Sequence, residues 1–407
     1  MPLSGIKVIE WSVYMQVPVA CDILGALGAE VVKVEQPGRG DPMRGTLKLH
    51  GVPQVLPDGT SAHYASCNRN KKGIAVNLKK PKGREIIYRL VEKADVFVHN
   101  QRKGVAEKLG LDYETLSRIN PKIIYVEGSG FGTKGPDSSL PVTDSIAQAR
   151  SGLLLCGAET DTAGYPRPTE PSLGIVDDLG AVCLSQGIII ALLARERFGI
   201  GQKVESSLLG GVMRLLRQQI AGYYMTGIEI PGLKQETAPN PLYNGYRCQD
   251  GKWLRIAINQ SDRYWSDFCK TVAMPELEKD PKFSDSKRRE QNCEELVTIL
   301  NAVFDSRTCD QWITRFRQAG LLCGPVRGIP DLADDPQVKE NGYLVNFDDP
   351  VIGPVKVPGL PFDFSKTPWA IRSPAPQLGQ HTEEVLSDTL GYSWDQISEL
   401  REEEVIG

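Results

Sequence analysis

Strand-like apolar segments alternate with helix-like segments through the first third of the chain. Residues 5–36 contain a strand pattern (IKVIEW), a helix pattern (VACDILGALGA) and a second strand pattern (EVVKVEQ), and further strand–helix cycles continue to about residue 130. Apolar strands separated by helices are typical of βαβ units, whose strands lie parallel in one sheet. The pattern therefore predicts an α/β fold with a doubly wound parallel sheet.

A different pattern begins after residues 227–241, which are rich in Gly and Pro. Residues 242–258 have the pattern of a hairpin with Asp250-Gly251 at its turn, and amphipathic helices follow. Stretches rich in Gly and Pro are typical of domain boundaries, so we predict a boundary at 227–241. Pro and Gly recur again over 323–376, which indicates an extended connection before a final helical segment.

A polar turn followed by a long apolar run marks residues 174–202. Asp177 and Asp178 stand where a helix N-cap belongs, because a short carboxylate accepts backbone N–H groups that the first turn leaves unpaired. Residues 179–194 are apolar on nearly every face, which predicts a helix enclosed by protein, and Gly199 supplies a stop. Two interpretations stay open: the carboxylates cap the helix, or one of them is an ionised nucleophile that attacks an acyl group.

Charge and cysteine usage exclude several classes of function. The 407 residues carry a formal net charge of −4, which gives no general attraction to nucleic acid or anionic membranes. The nine cysteines include no CxxC pair and the four histidines have no metal-ligand spacing, so neither a disulfide framework nor a metal site is expected. We expect no apolar run to be long enough to cross a bilayer, and no signal peptide. A soluble cytoplasmic protein is the expectation.

Glycine-rich and basic segments bear on cofactor binding. Residues 130–135, GFGTKG, match G-x-G-x-x-G, but a loop continues where a helix should begin, so a nicotinamide or flavin site is not expected. The segment 99–103, HNQRK, ends a predicted parallel strand, where ligands of open α/β sheets bind. Its basic groups would suit an anionic cofactor with phosphates but do not identify one. The basic runs at 68–72 and 79–84 could hold phosphates or form a solvated surface.

Several stretches spread over nearly the whole chain resemble those of the family III CoA-transferases. This family includes formyl-CoA:oxalate and carnitine CoA-transferases and the α-methylacyl-CoA racemases. The stretches run in the family's order and are LGAEVVKVE (27–35), NKK (70–72), KADVFVHN (93–100), IAQA (146–149), Asp177 with ALLARER (191–197), and APQLG (375–379) with His381-Thr382.

The resemblance implies a two-domain architecture and an interlocked assembly. A Rossmann-like large domain would be built from both chain ends, with its first part at 1–222 and a linker and C-terminal return at 326–407. A smaller α+β domain would occupy 228–325. Two subunits would interlock like links, as a homodimer or as a hetero-oligomer with a paralogue.

The chemistry that the resemblance implies centres on Asp177. Counting back from Gly199, the family's catalytic aspartate falls on Asp177 and not on Asp178. It would attack an acyl-CoA thioester to give an aspartyl anhydride and then an enzyme–CoA thioester, from which a small carboxylic acid takes the CoA. The CoA thioester would be a co-substrate, with no permanently bound cofactor and no metal.

The family's CoA contacts carry over by position, and one basic residue is added from the segment 99–103. The predicted CoA-binding residues are Met15, Gln36, Val76, Lys79, Asn100, Arg102 and Lys108. Met15 and Gln36 stand where the formyl-CoA enzyme has a glutamine and an arginine, so the CoA contacts are expected to differ in detail. The loop 235–241 lacks that enzyme's run of glycines and is more similar to members that act on phenyllactate or related 2-hydroxy acids.

The sequence leaves two alternatives to CoA transfer open. An acyl-CoA racemase or isomerase of the same fold would pair the aspartate with a histidine, and that position is Thr143 here, so proton abstraction lacks its second base. A non-catalytic CoA-binding subunit of a hetero-oligomeric transferase would not need Asp177 for activity.

Overall fold

The computed structural model describes residues 1–158, 165–169, 174–230, 232 and 234–407. These residues fall into two compact units. The large unit comprises Met1–Leu154, Glu170–Glu229 and Asn341–Gly407, and the small unit comprises Leu155–Thr169 and Ile230–Glu340. Both chain ends thus belong to the large unit, while residues 326–340, which the sequence analysis grouped with the returning segment, belong to the small one.

A six-stranded parallel sheet forms the centre of the large unit. Its strands are β1 (Lys7–Trp11), β2 (Glu30–Glu35), β3 (Lys71–Ala75), β4 (Val96–His99), β5 (Ile124–Ser129) and β6 (Gln202–Ser207). Their order is β3-β2-β1-β4-β5-β6, and every neighbouring pair is parallel. The order reverses between β1 and β4, which is the topological switch point where open α/β sheets bind ligands. The predicted α/β fold with a parallel sheet is confirmed.

Successive side chains of a strand point to opposite faces of the sheet, and both faces of this sheet are apolar and buried. Val8 of β1 faces a core shared with the first helix and the long helix Ile175–Phe198. Its neighbour Ile9 faces a second core, to which the C-terminal helix contributes Ile397 and Leu400. The C-terminal segment therefore completes the core that the first strands begin.

The remaining elements of the large unit surround this sheet. Its helices are Gln16–Ala26, Ala62–Cys67, Pro81–Val91, Val105–Leu109, Tyr113–Ile119, Asp144–Arg150, Ile175–Phe198, Leu208–Leu215, Arg217–Thr226, Thr382–Glu384 and Trp394–Glu402, with a 3₁₀ turn at Pro42–Gly45 and a π turn at Val385–Thr389. Two antiparallel ribbons pair Lys48–Leu49 with Val52–Pro53, and Leu344–Asp349 with Gly353–Pro358. The second ribbon lies in the segment predicted as an extended connection, where Val345 pairs with Val357.

The helix Ile175–Phe198, here called the central helix, has 24 residues. It begins after Gly174 and ends before Gly199, both in the left-handed region with φ of 68° and 73°, which a residue without Cβ adopts at little cost. The predicted stop at Gly199 is confirmed. Asp177 and Asp178 lie inside the first turn and not at the N-cap, because Gly174 already takes that place.

One side of the central helix is apolar and exposed in this chain, which corrects two expectations. Leu184 and Ile188 are buried against the first helix, whereas Val182 and Ile190 are 53% and 58% exposed, so the helix is not enclosed on all faces. An 18-residue window has a mean hydropathy of 1.8, so by length and composition the helix could cross a membrane. Core helices of soluble proteins have the same composition, and 44% of this window is buried.

The small unit is built on a three-stranded antiparallel sheet with the order Cys323–Pro325, Trp253–Ile256, Gly245–Arg247. The hairpin predicted at 242–258 is present, with Gly251 at φ 75° in its turn. Stacked aromatic side chains such as Phe304 on Tyr246, 4.7 Å between centroids, fill its core. The helices are Ser261–Thr271, Glu276–Lys279, Ser286–Gln291, Cys293–Phe304, Cys309–Gln318, Ile329–Leu332 and Pro336–Glu340.

Candidate active site

Asp177 lies at the start of the central helix, where another carboxylate fixes the backbone. Asp144 Oδ2 accepts hydrogen bonds from the N–H groups of Val176 at 2.8 Å and Asp177 at 3.0 Å. Gln148, one turn further along the helix Asp144–Arg150, donates to Asp144 Oδ1 and holds that carboxylate in place. Asp144 therefore caps the central helix from a different element. No sequence motif marks Asp144, although it closely precedes the IAQA stretch at 146–149.

The electrostatic environment of Asp177 is acidic. Burial raises the pKa of Asp177 to about 7, helped by the neighbouring charges of Asp144 and Asp178. Burial and Asp144 also raise the pKa of Asp178. Desolvation and like charge therefore oppose the helix N-terminus, which by itself would favour the ionised carboxylate that the sequence predicts. An aspartate of this kind is partly ionised at pH 7 and is a candidate for covalent chemistry.

The start of the first helix packs against the first turns of the central helix, on either side of Asp177 in sequence. A Cβ on Gly174 would lie 3.0 Å from the Met15 methyl carbon, and a Cβ on Gly180 would lie 3.2 Å from Gln16 Nε2. Asp177 is three residues from each glycine, so its position on the helix surface falls between them. Met15, a predicted CoA contact, thus lies beside the start of the central helix. The sequence did not predict a role for its neighbour Gln16.

A cavity of about 230 Å³ opens at the carboxyl ends of β1, β2 and β3, next to the switch point. Three of the predicted CoA-binding residues, Gln36, Val76 and Lys79, line it. Trp11 and Ser12 from the end of β1 complete one wall. The cavity is here called the CoA cleft, because residues predicted to bind CoA line it. Its lining combines apolar side chains with a lysine.

Asn100 is a structural neighbour of the CoA cleft. Its side-chain Oδ1 accepts the Val13 N–H at 3.0 Å, and its Nδ2 donates to the Val13 carbonyl at 2.7 Å. Val13 lines the cleft, so Asn100 holds one wall in place. Lys108 is exposed on a helix whose next residue, Leu109, lines the same cleft.

Arg102 is the predicted CoA contact that the structure places apart from the others. It lines a separate recess of about 20 Å³ together with Lys103, Lys203 and His99. Burial, with a smaller effect of Lys203, lowers the pKa of His99 to about 3, so this histidine is neutral. Its Nε2 lies 2.7 Å from the Tyr125 hydroxyl oxygen.

Comparison with known proteins decides the family. The sequence model of CoA-transferase family III matches residues 3–382. The chain belongs to CoA-transferase family III. It is therefore an enzyme that transfers CoA between acyl-CoA and carboxylic acids, as the resemblance of its sequence implies.

Relatives and solved structures cover nearly the whole transferase. It is 34% identical over 400 residues to succinyl-CoA:glutarate CoA-transferase of Mus musculus, covering 98% of this chain and 89% of the relative. It is 31% identical to (R)-2-hydroxy-4-methylpentanoate CoA-transferase of Clostridioides difficile, with both chains covered completely (100% each). A crystal structure of a CAIB/BAIF family protein from Brucella suis superimposes with a TM-score of 0.83 at 27% identity, covering 95% of this chain and 99% of that one.

In this transferase a buried ionic network supports the turn before the first helix. Lys33 Nζ lies 3.0 Å from both Glu10 Oε1 and Asp41 Oδ2. Lys71 Nζ lies 2.8 Å from Glu10 Oε2, and all four side chains are fully buried or nearly so. Asp41 Oδ1 accepts the Tyr14 N–H at 3.0 Å, which helps hold Tyr14 at its left-handed φ of 63°. The network therefore shapes the turn that presents Met15 and Gln16.

The charges of this network stabilise one another. Burial by itself would raise the pKa of Glu10, but Lys33 and Lys71 hold it below its usual value. Burial would lower the pKa of Lys33, and Glu10 and Asp41 raise it instead. Lys33 and Lys71 belong to the LGAEVVKVE and NKK stretches that carry the family resemblance. Their role as buried partners of one glutamate could not be read from spacing, because they lie on different strands.

Proposed function

We propose that this transferase moves CoA from an acyl-CoA to a free carboxylic acid with Asp177 as the covalent nucleophile. The observation that carries the proposal is the placement of Asp177 at the start of the central helix. Asp144 fixes its backbone there, and the loop that forms one wall of the CoA cleft leads directly to Met15 and Gln16, which pack against the first turns of that helix. Membership of the family supports the same assignment.

The reaction divides into covalent steps that balance without a cofactor. An ionised Asp177 oxygen attacks the thioester carbonyl carbon, the C–S bond breaks, and CoA thiolate leaves an aspartyl–acyl anhydride. The thiolate then attacks the aspartyl carbonyl, releasing the donor acid and leaving an Asp177–CoA thioester. The acceptor carboxylate repeats these two exchanges in reverse and leaves as the new acyl-CoA. Covalent catalysis of this kind replaces one difficult transfer with easier ones.

The acid substrates are proposed from the relatives. Succinyl-CoA is one candidate donor, since the similar mouse protein is a succinyl-CoA:glutarate CoA-transferase. A branched or aromatic 2-hydroxy acid is the other candidate class, in line with the 235–241 loop and with the similar 2-hydroxy-4-methylpentanoate enzyme. CoA itself would occupy the CoA cleft with its phosphates near Lys79.

An acyl-CoA racemase or isomerase remains the second candidate, and the structure gives it little support. Thr143 occupies the position of the racemase histidine, and its hydroxyl lies 3.3 Å from Ser145 Oγ. A threonine hydroxyl does not act as a base near neutral pH, so no second base faces the α-carbon there. Incubation of acyl-CoA in D₂O should leave the α-proton unexchanged, and rapid exchange would favour the racemase.

We also propose an interlocked homodimer and a cytoplasmic location, and the exposed apolar side of the central helix supports the homodimer. Val182, Ile190 and Leu193 are each more than half exposed in this chain. The helix Arg217–Thr226 adds Tyr224 at 82% exposure. Large exposed apolar side chains along one helix face are typical of protein interfaces. Sedimentation at micromolar concentration should give twice the 44.8 kDa chain mass, and a monomer would contradict the proposal.

The experiment that tests the proposed function is the intact mass of the protein after incubation with acyl-CoA. Succinyl-CoA and a 2-hydroxyacyl-CoA are used as donors, with peptide mapping of any adduct. We expect a CoA adduct on Asp177 that disappears when acceptor acid is added, and no adduct in Asp177→Ala. Asp178→Ala is the matched control and should still form it. If wild type forms no adduct with either donor, or if Asp177→Ala transfers CoA normally, Asp177 is only a helix residue.

A further inference from the structure

The side chain of Gln16 contains a buried amide nitrogen without an acceptor. Gln16 is the first residue of the first helix and is only 4% exposed. Among the residues that the structure describes, its Nε2 has no hydrogen-bond partner. Buried polar groups are nearly always paired, because an unpaired one loses its hydration without compensation. This amide therefore calls for a function other than holding the fold together.

Two glycines make the space that the Gln16 amide occupies. A Cβ on Gly128, near the end of β5, would lie 2.8 Å from Gln16 Oε1. A Cβ on Gly180, in the central helix, would lie 3.2 Å from Gln16 Nε2. Alanine at either position would crowd the amide. The amide thus lies against the central helix one turn beyond Asp177. The space that it fills exists because Gly128 and Gly180 have no side chains.

The other hydrogen-bond donors at the start of the central helix are already engaged. The N–H groups of Val176 and Asp177 donate to Asp144. The Asp178 N–H donates to the Gly174 carbonyl. The neighbouring charges that act on Asp177 are both negative, so they oppose a second negative charge beside it. None of these three N–H groups is therefore free to bind an oxyanion.

We propose that the Gln16 amide donates the hydrogen bond that stabilises the oxyanion formed when Asp177 attacks the acyl-CoA thioester. This inference rests on the proposed function. As the O–C bond forms, the carbonyl π electrons move to oxygen, and on collapse they return and expel CoA thiolate. Gln16 gives up no proton in either step. Its terminal torsion is soft, so a small rotation can turn the N–H toward the substrate oxygen. Gln16 is thereby a catalytic residue.

The test separates catalysis from stability by removing the donor at nearly constant volume. Gln16→Met should slow single-turnover formation of the Asp177 adduct by about 10²–10³-fold, the usual effect of losing one oxyanion donor. Its melting temperature should stay the same or rise, because an unpaired buried donor has been removed. Gln16→Asn keeps the amide but shortens its reach, so it should also be slow. Gln291→Met, at an exposed glutamine of the small unit, is the matched control and should change neither quantity.

The outcomes distinguish this inference from the proposed function. If wild type forms the adduct and Gln16→Met forms it at the wild-type rate, the function stands and the inference fails. If both Gln16 variants lose their folded state, the amide is structural and the inference fails as well. If wild type forms no Asp177 adduct, the proposed function fails first. A slow Gln16→Met of undiminished stability, beside an unaffected Gln291→Met, supports the inference.

Discussion

At the scale of single residues, Asp144 gives Asp177 both its position and part of its reactivity. Its Oδ2 accepts two N–H groups of the central helix, and its negative charge adds to burial in raising the pKa of Asp177 to about 7. A carboxylate with a raised pKa is a better nucleophile when ionised, but less of it is ionised at neutral pH. The same side chain therefore sets the geometry and the pH range.

Asp144→Asn should move the acidic limb of the pH–rate profile to lower pH. The asparagine oxygen can still accept the two N–H groups, but the charge that raises the pKa of Asp177 is lost. Because Asp177 attacks as the anion, the wild-type rate of adduct formation should rise with pH through about 7. Single-turnover rates across the pH range measure both midpoints. An unchanged midpoint in Asp144→Asn would show that its charge does not act on Asp177.

At the scale of elements, the buried network joins the first three strands to the turn before the first helix. Glu10 of β1 contacts Lys33 of β2 and Lys71 of β3, and Asp41 connects the network to Tyr14. A network of this kind contributes less to stability than its number of contacts suggests, since each charge has lost its hydration. We expect the network instead to fix one conformation of the turn that carries Met15 and Gln16.

Glu10→Gln should be strongly destabilising. The substitution keeps the shape of the side chain but leaves Lys33 and Lys71 with an unbalanced buried positive charge, which typically costs about 3–5 kcal/mol. Urea unfolding measures the change in the free energy of unfolding. Lys82→Met is the control, because its pairs with Glu399 and Glu403 are exposed and should contribute almost nothing. Equal stability of wild type and Glu10→Gln would mean that the pairs do not act as a buried network.

At the scale of the whole molecule, the candidate site residues lie along one edge of the parallel sheet. Parallel strands end at the same edge, and the helix N-termini that follow them point there as well. The CoA cleft lies at the ends of β1, β2 and β3, and Ser129 at the end of β5 directly follows Gly128, which borders Gln16. The opposite edge carries Lys72, at the start of β3, paired with Glu384.

Lys79→Met should raise KM for acyl-CoA about ten- to hundredfold and change kcat little. Hydrogen bonds to charged groups are worth roughly 1.5–3 kcal/mol, and a cofactor contact made equally in ground and transition states affects binding alone. Steady-state kinetics with varied acyl-CoA measure the change. Lys72→Met removes a lysine from the other edge of the sheet and is the matched control. An unaltered KM in Lys79→Met would place the CoA phosphates elsewhere.

The local pattern of the chain predicts more of the fold than of the site. Apolar strands and helix stops such as Gly199 are properties of short segments, and the structure has them where the pattern places them. Gln36, Val76 and Lys79 also share one cleft, and their contact with CoA stays a prediction. Arg102, chosen for its charge, lies in another recess, because charge alone does not indicate which way a loop turns.

The amino-acid sequence by itself determined the order of strands and helices, the helix that carries Asp177 and the family to which the chain belongs. These features depend on periodicity, glycine conformation and residue order, all of which are local. Only the tertiary structure decided that Asp144 caps that helix, that Glu10 contacts two lysines and that the Gln16 Nε2 lies unpaired beside Gly180. Burial and the distance between charges set the pKa and the reactivity of a side chain, and both exist only once distant segments have packed together.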